Sequence, residues 1–130
     1  MTLVDTTVWI DWLRGRETRA TTLLDALLDE GEVLLAPVIL QEILQGARSP
    51  AALETLRGHF SGLPMLAPSL EVYLAAGALY ARCRWRGITP RSPHDCLIAQ
   101  HALEAGVPLL QADRDFSHLA QVEPALRLLP

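Results

Sequence analysis

The sequence predicts an α/β domain built on a mainly parallel sheet, and three features carry that prediction. The apolar run at residues 2–4 ends abruptly in a carboxylate, Asp5, and a helical pattern starts at once. A buried parallel strand that delivers an acid to its C-terminal edge reads this way. Similar short apolar runs return at residues 32–36, 107–110 and 126–129, separated by stretches with helical periodicity. A second acid, Asp113, follows the 107–110 run much as Asp5 follows the first. In open α/β sheets this edge is where ligands bind.

The totals fit one folded unit. At 130 residues the chain is most simply a single domain, residues 1–130, with length enough for a real core. Half of the residues are hydrophobic and 20% are charged, a globular rather than a disordered composition. No apolar run approaches the roughly 18 residues of a membrane span. No basic segment precedes the first apolar run, as a signal peptide would require. Cys83 and Cys96 form no metal-type pair and need not bridge, which points to a reducing, cytoplasmic setting. The net charge of −4 argues against holding nucleic acid by bulk charge, but not against an acidic site neutralised by cations. All 11 basic side chains are arginine, and lysine is absent.

Each element has a local cause. After Asp5, the residues Val8, Trp9, Ile10, Trp12 and Leu13 mark a helix that Arg14-Gly15 stops. Asp5, Thr6 and Thr7 can each cap it. At about 100° per residue the apolar arc spans more than half the circumference, so Trp12 is expected to contribute to a partner surface. Leu23, Leu24, Leu27 and Leu28 stripe a second helix, closed by Gly31. Residues 32–36 follow as a buried strand, and Pro37 opens a helix with its stripe at Ile39, Leu40, Ile43, Leu44 and Ala47. Glu42 sits at the margin of that stripe, placed either for solvent or to lean over the helix start toward a cleft.

Residues 51–62 are expected to be helical and residues 64–66 to form a short edge strand. Ser69 caps a helix that runs through Tyr73, Leu74, Leu79 and Tyr80 and ends in Arg82, Arg84, Trp85 and Arg86 before Gly87. Cations at a helix C-terminus are favoured by the macrodipole. Arg84 and Arg86 with Arg91 also make a basic flank for an RNA backbone, with Trp85 as a stacking face.

Ser92 and Pro93 then supply a natural N-cap and first residue, which sets Asp95 at N3, where an acid helps a cap. Yet Ile98, Ala99 and Ala102 share its face, and an unpaired carboxylate on an inward face is costly. That balance favours function for Asp95. His94 and His101 pair with no Cys or His at a metal spacing and are expected to point away from that face. Asp115 is expected to cap a short helix over Phe116, Ser117, His118 and Leu119.

Helices in a βα fold run antiparallel to the strands, so strand C-termini and helix N-termini share one edge. Asp5, Glu42, Asp95 and Asp113 can all converge there. Close carboxylates raise one another's pKa unless a cation intervenes. An oxygen-only donor set suits Mg²⁺ or Mn²⁺, and such an ion can orient a phosphodiester, activate water and stabilise a leaving oxygen.

The segments Leu3-Val4-Asp5-Thr6-Thr7-Val8-Trp9-Ile10-Asp11, Gln41-Glu42-Ile43-Leu44-Gln45-Gly46, Asp95-Cys96-Leu97-Ile98-Ala99 and Ala112-Asp113-Arg114-Asp115-Phe116 carry a resemblance. On them the chain resembles the PIN-domain ribonucleases, specifically the small VapC-type toxins of toxin–antitoxin pairs. The segments run in family order over nearly the whole chain; each is weak singly, and together they are fairly specific. The resemblance implies a three-layer α/β/α fold around a central, mainly parallel sheet. It further implies RNA cleavage dependent on Mg²⁺ or Mn²⁺, a homodimer, and a cognate antitoxin that blocks the site. By position it makes Asp5, Glu42, Asp95 and Asp113 the catalytic acids, with Asp5, Asp95 and Asp113 as metal ligands. Thr7 and Asp115 take supporting places. One departure stands out: Gln111-Ala112 occupies the place where the family often has a threonine before the acid. The division of labour between Asp113 and Asp115 is therefore open.

Two other Mg²⁺-binding α/β families also place an Asp after the first strand. Response-regulator receivers require an acidic pair there and a lysine, and phosphatases of the haloacid dehalogenase type require an Asp two residues later and a lysine. This chain has Thr7 at that second position and no lysine, so both readings fail. The remaining alternative is a catalytically silent PIN-like subunit that only binds RNA or a protein partner.

Overall fold

Leu3 and Val4 are wholly inside the protein, and the strand they form with Thr2 lies at the heart of the sheet. The structure, a computed structural model, describes residues 1–130. Its strands are β1 (Thr2–Val4), β2 (Val33–Leu34), β3 (Leu109–Leu110) and β4 (Leu128–Leu129), ordered β2-β1-β3-β4 and all parallel. Leu3 pairs with Leu34 on one side and Leu109 on the other, while Val4 pairs with Leu110. β1 and β3 are buried along their whole length, which explains their uninterrupted apolar sequence.

The helices are α1 (Thr6–Leu13), α2 (Arg19–Asp29), α3 (Pro37–Leu44), α4 (Pro50–Phe60), α5 (Leu70–Trp85), α6 (Pro93–Ala105) and α7 (Asp115–Val122). They cover the sheet on both faces, giving the three-layer α/β/α arrangement. Their starts follow local chemistry. Thr18 and Thr21 form a reciprocal capping box on α2, and Ser49, Ser69 and Ser92 cap α4, α5 and α6. Proline occupies the first turn of α3, α4 and α6. Gly106 ends α6 at φ 67°, a left-handed conformation that favours glycine.

The core runs from the sheet into both helical layers. Trp9 packs edge-on against Phe60 with ring centroids 4.9 Å apart and against Trp12 at 5.6 Å. Its indole Nε1 is buried without a hydrogen-bond partner. Trp12 is half-buried and donates from Nε1 to Asp25 Oδ1 at 2.8 Å, so much of the wide arc on α1 is used within the chain.

Several elements differ from expectation. Residues 64–66 form only an isolated bridge, Leu35 to Met65, with Leu35 donating to Pro64 and Leu66 donating to Leu35 through the backbone. β2 is shorter than residues 32–36 because Ala36 already serves as the extended residue before α3. On α5 the inward face is Val72, Ala76, Leu79 and Cys83, whereas Tyr73 and Leu74 face solvent. His101 does not point outward: it is buried within α6, and burial lowers its pKa. α7 starts at Asp115 with Arg114 in the cap position and no side-chain cap, so Asp115 does not serve as its N-cap.

Candidate active site

The last ladder bond beyond β1 runs from the Asp5 amide to the Leu110 carbonyl at 2.9 Å. It sets Asp5 beside the end of β3, from which Gln111-Ala112 lead to Asp113. Parallel pairing of two adjacent strands thus brings two distant acids to one edge. A cleft of about 430 Å³ opens there, lined by Asp5, Glu42, Asp95, Asp113 and Asp115, with Arg91 at its side.

Asp5 is both the N-cap of α1 and a site acid. Its Oδ2 accepts from the Thr7 hydroxyl at 2.6 Å and from the Thr7 amide at 3.3 Å. Those bonds fix its rotamer and explain the expected place of Thr7. Only 2% of Asp5 is exposed, and burial, with a smaller push from Glu42, raises its pKa to about 6 against the lowering effect of the Thr7 bonds.

Glu42 leans over the start of its helix, as its place on the wheel allowed. Its Oε1 accepts from the Thr6 hydroxyl at 2.7 Å, and its Oε2 lies 3.5 Å from His94 Nδ1. His94 itself lines the groove between α5 and α6 with Tyr73, Tyr80 and Leu97, and only its Nδ1 comes near an acid of the cleft. It follows Pro93 in the first turn of α6.

Asp95 is not the capping acid. Ser92 caps α6 through its hydroxyl, which accepts from the His94 amide at 3.2 Å. The Asp95 carboxylate turns toward the other acids. Burial is the first cause of its rise to about 7, followed by repulsion from Asp5, Asp113, Glu42 and Asp115. Every other acid of the site thus acts on Asp95.

Asp113 is held by a residue that the sequence reading treated only as a departure. The Gln111 side chain is buried, and its Oε1 accepts from the Asp113 amide at 2.9 Å while its Nε2 donates to the Pro130 carbonyl at 3.4 Å. The side-chain amide thereby ties Asp113 to the chain terminus. Asp113 Oδ1 in turn accepts from the Asp115 amide at 2.9 Å, which starts α7.

Single oxygens from Asp95, Asp113 and Asp115 lie within 4.8 Å of one another. This trio differs from the expected ligand set Asp5, Asp95 and Asp113 by placing Asp115 with the acids. The donors are all oxygens, burial and repulsion raise the pKa of Asp95 among them, burial raises that of Asp5 beside them, and Arg91 already bridges Asp113 and Asp115. These features fit a hard divalent cation.

The expected basic flank is divided. Arg91 turns into the cleft, donating to Asp115 and Asp113. Arg86 donates to the Gln121 carbonyl at 3.1 Å and Arg82 pairs with Glu123 at 3.0 Å, so both are engaged by the end of α7. Arg84 and Trp85 remain exposed, Trp85 by 79%.

With this geometry in view, known proteins place the chain. The family model described as PIN domain matches residues 2–122. Ribonuclease VapC11 of Mycobacterium tuberculosis is 33% identical over 125 residues, covering 94% of this chain and 93% of that protein. Ribonuclease VapC19 of the same species is 33% identical over 128 residues, covering 95% of this chain and 98% of that protein. In fold, the chain is similar to VapBC2 from Rickettsia felis bound to a promoter DNA fragment, with TM-score 0.77, 16% identity, and 98% and 96% of the two chains covered. DNA-bound VapBC from Salmonella typhimurium gives TM-score 0.74 at 22% identity, over 98% and 96% of the two chains. The two ribonucleases match nearly end to end and the family model spans every acid of the cleft: this chain belongs to the PIN-domain family, in its VapC type.

Proposed function

We propose that this protein is a metal-dependent endoribonuclease, the toxin of a toxin–antitoxin pair, with Asp5, Glu42, Asp95 and Asp113 as its catalytic acids. The observation that carries this reading is the convergence of those acids, with Asp115, on one cleft at the C-terminal edge of the sheet. The curated relatives are named as ribonucleases, and similar folds occur in VapBC pairs and in a toxin–antitoxin complex from Klebsiella pneumoniae.

Asp5, Asp95 and Asp113 would hold Mg²⁺ or Mn²⁺, with Asp115 beside them. When bound, the ion lowers the pKa of water, orients the phosphodiester and stabilises the leaving oxygen. The residues of the chain do the remaining work. Thr7 holds Asp5 in one rotamer, so its carboxylate lines the cleft without reorganisation. Asp95 brings an acid poised near neutrality, able to accept charge compensation from a cation. Glu42, pinned by Thr6 at Oε1 and with His94 Nδ1 3.5 Å from Oε2, is the acid placed to take a proton from water. Buried surroundings around Asp5 limit competing solvent.

An antitoxin and a second copy of the chain are the partners in this reading. Leu70, Tyr73 and Leu74 leave α5 with an exposed apolar face that such a partner would cover. Of the flank's arginines Arg84, Arg86 and Arg91, Arg84 is the one left free for an RNA backbone. The decisive experiment incubates the purified chain with structured RNAs in Mg²⁺, Mn²⁺ or EDTA. Cleavage that appears with a metal and vanishes with EDTA is expected. RNA binding without cleavage under all conditions would instead establish a silent binding subunit.

A further inference from the structure

Arg91 stands on the segment joining α5 to α6, between the buried Pro90 and the helix cap Ser92. Its side chain spans two carboxylates at once. Nε donates to Asp115 Oδ2 at 2.7 Å, and Nη2 donates to Asp113 Oδ1 at 3.0 Å and Oδ2 at 3.3 Å. The arginine is 72% exposed, whereas Asp113 and Asp115 are 22% and 15% exposed, so the guanidinium covers the acids from the solvent side. Both acids also belong, with Asp95, to the trio whose oxygens lie within 4.8 Å of one another. A cation held by that trio and Arg91 in its present position would claim the same oxygens.

We propose that Arg91 is a built-in counter-cation that occupies the Asp113–Asp115 half of the site at rest and is displaced by an entering divalent ion. This rests on the reading of the cleft as a metal centre. Arginine cannot leave by giving up its proton, so it leaves by moving its side chain. The backbone is suited to that: Pro90 anchors the segment in the core and Ser92 starts α6, while the guanidinium itself is largely in water. An exposed pair is weak and screened by salt, so the displacement is within reach of a divalent ion.

Calorimetric titration of Mn²⁺ into wild type and Arg91→Gln at low ionic strength tests the inference, with circular dichroism confirming that both are folded. Arg91→Gln should bind Mn²⁺ roughly two- to fivefold more tightly. Arg57→Gln, which removes another exposed cation, from α4, should leave the affinity unchanged and so control for net charge. An affinity in Arg91→Gln equal to or weaker than wild type, or a matching gain in Arg57→Gln, overturns the counter-cation role and leaves the metal reading standing. No Mn²⁺ binding by any of the proteins overturns both.

Discussion

The Thr6 hydroxyl donates to Glu42 Oε1 at 2.7 Å and ties the first turn of α1 to the second turn of α3 across 36 positions of sequence. Thr6 is 7% exposed, so the bond is sheltered from water and its partner has little freedom to drift. Thr6→Val keeps the shape and removes the donor. A hydrogen bond to a charged group contributes about 1.5–3 kcal/mol, so the variant should be less stable by up to that amount. With Glu42 free to wander, kcat should fall roughly tenfold to a hundredfold while KM changes little. Unchanged kcat in a folded variant would show that Glu42 needs no such support.

Asp5→Asn and Asp95→Asn should each reduce RNA cleavage by at least about a hundredfold while the circular dichroism spectrum stays native. Asp5→Asn retains an oxygen for the Thr7 amide and hydroxyl, so the cap on α1 survives and the loss reports on charge. Full cleavage by either variant would remove that acid from the site.

Much of this was legible in the sequence, and for particular reasons. β1, β3 and their following acids could be read because a strand buried on both faces leaves a continuous apolar run, and Asp5 and Asp113 interrupt it on the same side. Asp95 was distinguishable from an ordinary cap residue because its helical face is apolar, and the structure gives the capping to Ser92 alone. The pairing of Thr6 with Glu42 and of Gln111 with the Asp113 amide was not legible, because each depends on how separate segments pack rather than on spacing within one. The ion pairs of Arg91 were hidden for a related reason: the loop before α6 brings it onto acids supplied by a segment more than 20 residues away. The edge strand at residues 64–66 failed because Pro64 contributes no backbone donor and only one bridge forms.

Asp113→Asn and Asp115→Asn should both impair cleavage, with Asp113→Asn the more damaging. Asp115 belongs to the close oxygen trio and has no capping duty to explain its place. Asp113 shares that position and also accepts the Asp115 amide at 2.9 Å, so changing it disturbs the start of α7 as well. Losses of about tenfold or more are expected for each. A larger loss in Asp115→Asn would reverse the order.

Wild type should be stabilised by Mn²⁺ through mass action, by roughly 2.7 kcal/mol at a hundredfold excess over the dissociation constant. For a domain of this size that is an upward shift in Tm on the order of several degrees. Asp95→Asn, short of one ligand, should gain clearly less. Equal shifts in the two proteins would mean that Asp95 holds no ion.

Without metal, the acids should make stability depend on pH in a defined direction. Burial and repulsion raise Asp95 from 3.8 to about 7, and burial raises Asp5 from 3.8 to about 6. The folded protein therefore keeps protons that the unfolded chain releases. The resulting contribution to stability is fully present below the unfolded value of 3.8 and is lost as pH rises through about 6 and about 7. His101 works in the opposite sense: burial lowers its pKa, so its contribution is lost as pH falls. A comparison of wild type with Asp95→Asn in EDTA cancels His101, which both proteins carry. Near pH 8 the variant, relieved of a buried charge among acids, should melt higher by on the order of several degrees. Near pH 5 wild-type Asp95 is largely protonated, and the gap should close. Adding Mn²⁺ at the higher pH should reverse the order, because the charge that burdens the metal-free site is then matched by the ion. A gap that stays constant from about pH 5 to about pH 8 would show that Asp95 is not held protonated by its neighbours.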